Sequence, residues 1–358
     1  MTAARILVTG VGGAVGGELA AALAERAPRA RLVAVFSSPR SRADFLARAP
    51  RPVAAALQPV VCDLADPAAV AALTAELGPA GSTLVVHAAA NVSWTASPEA
   101  ARLGNVEVTR NTAELARRLG DSRFLLVSSA YTATSGWEYR NTYEETKAQA
   151  ERMLRAEYPD LDPAVFSCSL VVGHSRTGAI SRFHGIYPLL GLLERHQPPF
   201  LPGDRDGRID IVPVDWVAAE LSGMAARMLE GRPVQDVVAA AGSAAPLLRE
   251  LVAAVVAALN RHRREQDRPE LAEVPLVPFR RWDFLRRSVD AWNVTEIPMP
   301  NQQFLQRLIG VYRPYFENAR VRPPQGVTEP APPWGEYVDV VVDRWLAEHP
   351  RRPARAAS

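Results

Sequence analysis

Thr9-Gly10-Val11-Gly12-Gly13-Ala14-Val15-Gly16-Gly17 follows a short aliphatic run, Ile6–Thr9, and opens a segment of helical composition, Gly16–Arg26. Gly10, Gly13 and Gly16 fall three apart. Glycine permits positive φ in a tight turn, and its missing Cβ lets backbone approach a pyrophosphate closely. The helix N-terminus behind such a turn offers unpaired N–H groups and the positive end of a dipole. A glycine triplet alone is a weak sign. In a strand–turn–helix context at the head of an alternating pattern it points to dinucleotide binding.

The pattern continues for about 170 residues. Strand-length β-branched or aliphatic runs recur at Leu32–Phe36, Val60–Cys62, Leu84–His87, Phe124–Ser128 and Val165–Val172. Helical segments rich in Ala, Leu, Glu and Arg lie between them: Arg42–Ala49, Pro67–Leu77, Pro98–Leu119 and Thr142–Tyr158. Asp66-Pro67 and Ser97-Pro98 suit a helix cap followed by the first helical residue. Strands alternating with helices require right-handed crossovers and a parallel sheet covered on both faces. The predicted fold class is therefore α/β, a doubly wound parallel sheet (Rossmann), with a smaller, mostly helical C-terminal substrate domain. Residues 1–173 form the nucleotide-binding part, and 208–243 return to it through a helix at Pro213–Leu229 and a strand at Val237–Ala240. Residues 174–207 and 244–350 form the substrate-binding region, with helices at Pro246–His262, Phe284–Trp292, Asn301–Tyr315 and Tyr337–Glu348. Residues 351–358 read as a frayed tail.

Composition narrows the function. Of 358 residues, 48% are hydrophobic and 22% charged, which excludes disorder as the main state. A net charge of +2 gives no case for nucleic acid as partner. No apolar stretch is long enough to span a membrane, and the N-terminus lacks the apolar core of a signal peptide. Two cysteines, Cys62 and Cys168, make neither a disulfide framework nor a four-ligand metal site, and a cytoplasmic setting is expected. Of the 41 basic residues only Lys147 is a lysine. A lysine kept in a chain that otherwise uses arginine invites a chemical explanation.

Tyr143-Glu144-Glu145-Thr146-Lys147 supplies one. Residues four apart share a helix face. A phenol titrates near pH 10, and a neighbouring ammonium favours its ionised form. Arginine would not reproduce that compact charge on a flexible stem. Ser128-Ser129-Ala130 ends the fifth strand at the sheet's carboxyl edge, and side-chain alternation lets only one of the two serines face a site there. Asn105, in the preceding helix, is the natural fourth member, acting through water and Lys147.

The cofactor residues follow the strand ends. No acidic residue appears after Phe36 until Asp44, whereas Ser37 and Arg40 can hold a 2′-phosphate, so NADP(H) is favoured over NAD(H). Asp63 and Leu64, past the third strand, fall where adenine binds. Small residues Ala88 and Ala89, past His87, let a ribose pack on backbone. His87 itself reads as a packed strand-end residue.

In this order, Gly10/Gly13/Gly16, Asp63-Leu64, His87-Ala88-Ala89, Asn105-Val106, Val127-Ser128-Ser129 and Tyr143…Lys147 resemble the extended short-chain dehydrogenases/reductases. Three stretches are most similar to the fatty acyl-CoA reductase and thioester-reductase branch. They are Tyr143 to Glu151, Val171 to Gly178, and Ile209-Asp210-Ile211-Val212-Pro213-Val214-Asp215. The resemblance implies that Ser129 orients a carbonyl, Tyr143 is the acid–base, Lys147 tunes it and binds the nicotinamide ribose, and Asn105 completes a proton relay. It also implies reduction of a small-molecule or carrier-bound acyl substrate, on CoA or an acyl carrier protein, by a monomer or homodimer. A hydroxy/keto dehydrogenase and, less favoured, a sugar-nucleotide epimerase or dehydratase use the same residues. The branch often carries Arg-Pro before the last strand's glycine, where this chain has Ser167-Cys168.

Overall fold

A computed structural model describes residues 4–132, 138–284, 302–317 and 321–350. The chain divides into two compact units. The first holds residues 1–171, 214–242 and 320–331; the second holds 172–213, 243–319 and 332–358.

The first unit is built on seven strands, six of them β1 (Arg5–Thr9), β2 (Arg31–Phe36), β3 (Leu57–Val61), β4 (Thr83–His87), β5 (Ser122–Ser129) and β6 (Ala164–Cys168). With Val237–Ala239 at one edge, the spatial order is Val237–Ala239, β6, β5, β4, β1, β2, β3, and every pairing is parallel. The alternation of the sequence thus becomes a doubly wound sheet whose order reverses between β1 and β4, where such sheets bind ligands. Helices α1 (Ala14–Arg26), α2 (Pro39–Arg48), α3 (Arg51–Ala56), α4 (Pro67–Leu77), α5 (Pro98–Arg102), α6 (Val108–Arg118) and α7 (Thr142–Glu157) connect the strands. Leu7, Val85, Phe124 and Leu126 from the sheet pack with Leu73, Leu115, Met153 and Leu154 from the helices in one apolar layer. Their removal from water is the main stabilising contribution.

Local chemistry fixes the helix starts. Ser38, Asp66, Ser97 and Asn141 each accept a backbone N–H at the heads of α2, α4, α5 and α7, and proline stands in the first turn of α2, α4 and α5. The expected long helix 98–119 contains a π-helical turn, Leu103–Glu107, between α5 and α6. The run Val165–Val172 is not one strand: it breaks at Ser169, whose N–H turns to Ala239 O at 3.0 Å, and resumes at Leu170–Val172. The helix read over Phe284–Trp292 lies, beyond Phe284, outside the described residues, as does the tail.

The second unit is mostly helical, with Tyr187–His196, Leu248–Glu265, Gln302–Glu317 and Val338–Glu348. Its buried Glu194 carboxylate is held by Arg263 at 3.0 Å and Arg268 at 2.7 Å, so the buried charge is paired.

One boundary differs from the sequence reading, which gave all of 244–350 to the substrate region. Residues 320–331 belong with the sheet. Gln325 and Val238 exchange backbone hydrogen bonds at 2.9 and 3.1 Å, and Arg322 N–H donates to Ala130 O at 2.9 Å. Glu220, on the helix Val214–Leu229, accepts from Thr328 N–H at 2.7 Å, from the Thr328 hydroxyl and from Glu329 N–H at 3.1 Å. This proline-bounded strap has no hydrophobic period, so its partners are set by non-local hydrogen bonds. Glu220→Ala leaves three donors without their carboxylate and is expected to lower unfolding stability by about 2–3 kcal/mol in a denaturant titration.

Candidate active site

The glycine turn sits at the switch point. Gly10 has φ +71°, and a Cβ there would lie 2.6 Å from the backbone of Ala88 and Ala89. A Cβ on Gly16 would lie 2.3 Å from Gly10 O. Both positions therefore need glycine for close backbone packing. Gly13 N–H donates to Gly10 O at 2.9 Å and closes the turn. Gly13 also heads α1, and no side chain caps that helix, in contrast to α2, α4, α5 and α7. Uncapped N–H groups in a glycine cradle at the switch point fit a pyrophosphate.

The other cofactor candidates line the same carboxyl edge. Ser37 and Arg40 lie exposed past β2, and Arg40 Nε stands 3.8 Å from Asp44, the first acid after the strand. Asp63 Oδ1 accepts Ala65 N–H at 3.0 Å in a local turn, and Asp66 caps α4. Leu64 is buried in the apolar layer, its carbonyl accepting from Asn111 Nδ2 at 2.9 Å. Ala88 and Ala89 are half-buried, and Ala89 N–H donates to Thr9 Oγ1 at 3.2 Å.

His87 is the packed residue expected. Its Nδ1 meets Thr9 Oγ1 at 2.9 Å, its ring lies against Phe124, and burial, with the Lys147 charge, pushes its pKa down to about 3.

The polar centre is formed by one face of α7 and the end of β5. Tyr143, Lys147 and Glu151 are spaced by four and share that face. The Tyr143 phenol lies beside the Ser129 hydroxyl, which draws its pKa down. Lys147 Nζ donates to Val127 O at 2.6 Å. The Ser128 hydroxyl donates to Glu151. Three consecutive residues of β5 thus receive three successive turns of the helix. Cys168, paired in register with Ser129 on β6, donates its thiol to Ser128 O at 3.7 Å; burial raises its pKa to about 11.

Two expectations change. The sequence reading has the Lys147 ammonium lowering the phenol's pKa. In the structure burial comes first and pushes the phenol above its ordinary value, Cys168, Glu144 and Glu151 push the same way, and the Ser129 hydrogen bond pulls it back. Lys147 is not among the groups that shift it. Burial lowers Lys147 itself to about 8, with Glu151 and then Cys168 opposing that shift. The second change concerns Asn105. Its side chain is not turned to Lys147: Oδ1 accepts Asn91 N–H at 2.8 Å, and Nδ2 donates to Asn91 O at 3.1 Å and to Thr146 Oγ1 at 2.9 Å. Asn105 therefore ties the loop after β4 to α7, one residue from Lys147. Glu151 is the residue that sequence reasoning passed over. Its signal was the i+4 spacing from Lys147, which reads equally well as an exposed ion pair.

A doubly wound sheet with a glycine cradle at its switch point and a Ser/Tyr/Lys cluster at the same edge defines the extended short-chain dehydrogenases/reductases. The chain belongs to the male sterility protein family of this class, matched over residues 8–138 and 132–221, and is an enzyme with an NAD(P)-binding domain. Among curated proteins, none matches the chain. Among solved structures it is similar to the terminal R domain of the myxalamid PKS-NRPS pathway, at 17% identity and TM-score 0.68, covering 99% of this chain and 93% of that one. It is similar to a thiolation-reductase di-domain of an archaeal non-ribosomal peptide synthetase, at 14% identity and TM-score 0.70, covering 98% and 76%. The UDP-glucose 4-epimerase of Thermus thermophilus, in complex with NAD, shares the fold at 18% identity and TM-score 0.61, covering 95% and 98%.

His87 generates an acid dependence. The unfolded chain takes up a proton near the ordinary imidazole value of about 6.5, while the folded chain resists until about pH 3. Stability from this group is full above pH 6.5 and falls by about 1.4 kcal/mol per pH unit below it. His87→Asn, which keeps a polar partner for Thr9, is expected to flatten the fall in unfolding free energy between pH 6 and pH 4 (roughly the window between the two values), followed by denaturant titration at each pH.

Proposed function

We propose that the protein is an NADPH-dependent reductase of an acyl thioester or of the derived aldehyde or ketone, with Tyr143 as acid–base. The observation that carries this reading is the Tyr143 phenol set beside the Ser129 hydroxyl, with the chain's one lysine a turn further along the same helix face. Membership of the male sterility protein family and the fold likeness to the terminal R domain of a PKS-NRPS pathway and to a thiolation-reductase di-domain support the acyl substrate, on CoA or an acyl carrier protein. The exposed Ser37 and Arg40 past β2 support NADP(H) over NAD(H). Both cysteines are free and buried, in keeping with a reducing, cytoplasmic setting.

Gly10, Gly13 and Gly16 with the head of α1 hold the pyrophosphate, Asp63 and Leu64 border the adenine, and Ala88 and Ala89 border the ribose. When bound, the nicotinamide supplies a hydride to the carbonyl carbon. Ser129 donates a hydrogen bond to the carbonyl oxygen, and Tyr143 beside it gives that oxygen a proton as its negative charge develops. A phenol held above its ordinary pKa is fully protonated at neutral pH and ready to act as the acid in reduction. Lys147, one turn along the same helix face, would bind the nicotinamide ribose and support reprotonation of Tyr143. Asn105 holds α7 to the loop after β4, so that Tyr143 and Lys147 keep their register. On a thioester the resulting hemithioacetal breaks its C–S bond to give aldehyde and thiol. A hydroxy/keto dehydrogenase would use the same residues on a ketone, and the choice rests with the substrate.

Purified protein with NADPH or NADH and a panel of acyl-CoA thioesters, aldehydes and ketones, followed at 340 nm (the absorbance of reduced nicotinamide), tests the reading. Thioester-dependent oxidation of NADPH is expected; oxidation with ketones alone removes the thioester. Tyr143→Phe is expected to lower kcat by about 10²–10⁴-fold while NADPH binding persists. Arg40→Ala is expected to weaken NADPH by about tenfold and leave NADH unchanged; equal effects on both cofactors would remove Arg40 from the 2′-phosphate site.

A further inference from the structure

Lys147 is buried, and its described hydrogen-bond partner is a neutral carbonyl, Val127 O at 2.6 Å. An ammonium in that position has lost most of its hydration and needs a counter-charge to stay protonated. The charged and titratable groups around it come from four elements. On α7 there are Tyr143 and Glu144 on the N-terminal side and Glu151 one turn on; β6 brings Cys168, β4 brings His87, and the strap brings Arg322, whose Nη1 donates to Ser167 at 3.2 Å beside Ser128. His87 is held neutral and Cys168 stays a thiol at neutral pH. Glu144 is drawn away by Arg140, whose Nε lies 3.1 Å from its carboxylate. Glu151, one turn further along α7, is the remaining acid whose charge favours the ammonium, and the Ser128 hydroxyl anchors it in place.

We propose that Glu151 is a positioning residue: its carboxylate, fixed by Ser128, keeps Lys147 in the ammonium form and on the helix face that carries Tyr143. The consequence for β5 is a division of labour. Ser128 faces the helix to hold Glu151, which leaves Ser129 for Tyr143, and Val127 contributes its carbonyl between them. The inference rests on the Tyr143/Lys147 reading for its kinetic consequence only; the charge state of the lysine is a property of the folded chain with or without turnover.

Lys147 is the one lysine among 358 residues, so selective labelling with ¹⁵N,¹³C-lysine gives a single side-chain signal whose pH titration reports it directly. The wild-type midpoint is expected near 8. Glu151→Gln keeps the volume and an acceptor for the Ser128 hydroxyl but removes the charge, and is expected to move the midpoint down by about one pH unit. The alkaline limb of the kcat profile should move the same way, with the KM for the acyl substrate unchanged. Glu151→Asp should return part of the shift. Ser128→Ala, which keeps the charge and frees its anchor, should move the midpoint down by less, and it carries the test if Glu151→Gln does not fold. A midpoint unchanged in folded Glu151→Gln, or in Ser128→Ala where that variant stands in, overturns the proposal. Wild-type protein that oxidises no NAD(P)H with any substrate overturns the reductase reading while the lysine titration still decides the role of Glu151.

Discussion

The end of β5 holds α7 by three polar contacts made from three adjacent residues, and the arrangement of the site depends on them. A helix packed on a sheet by apolar side chains alone can slide or roll with small changes in burial, because hydrophobic contact is not directional. Hydrogen bonds from Lys147 to Val127 O and from Ser128 to Glu151, with the Ser129 hydroxyl beside the Tyr143 phenol, remove that freedom. They also need the strand to be rigid. β5 lies between β4 and β6, and Phe124, Leu125 and Leu126 within it are fully buried. The helix start is fixed independently, since Asn141 Oδ1 accepts Glu144 N–H at 3.0 Å. The position of the phenol is therefore set at both ends of the first two turns.

The glycine turn reaches the same edge by a different device. Its geometry comes from what is missing, the Cβ atoms that would strike Ala88, Ala89 and Gly10. The two devices communicate through β4. Thr9 at the end of β1 meets His87 and Ala89, and β4 pairs with β5 on its other side. The glycine turn and the Ser129/Tyr143/Lys147 cluster are thus separated by one strand, at a distance fixed by sheet spacing. That the strands are all parallel matters here. It puts every carboxyl end, with its loop, on one edge.

Much of this was legible in the residues. The strand–glycine–helix opening, the aliphatic runs and the Asp-Pro and Ser-Pro helix starts are local signals, and local chemistry honours them. The pair Tyr143 and Lys147 was legible because lysine is otherwise absent. What escaped was decided by tertiary contact. Glu151 reads as half of an exposed i,i+4 pair until β5 covers that face and Ser128 claims the carboxylate. The direction of the phenol's shift could not be read from spacing, because spacing says nothing of desolvation. Asn105 has the right position but spends both ends of its amide on Asn91 and Thr146. The strap 320–331 carries no period, and only Glu220, Ala130 and Val238, each distant in sequence, reveal where it lies.

Why one lysine survives among forty arginines follows from the same burial. A guanidinium placed where Lys147 stands would remain charged at any pH the protein meets, and its five donors would face one carbonyl at Val127. A lysine offers a compact ammonium that bonds the Val127 carbonyl one helix turn from Glu151. Desolvation also brings its pKa down to about 8, close to neutral, where an amine can give up and regain a proton; a guanidinium cannot. The ammonium needs burial to exchange protons readily and Glu151 to remain protonated at rest. Those two opposing demands, desolvation by the sheet and compensation by a carboxylate one turn away, define a side chain that only lysine supplies.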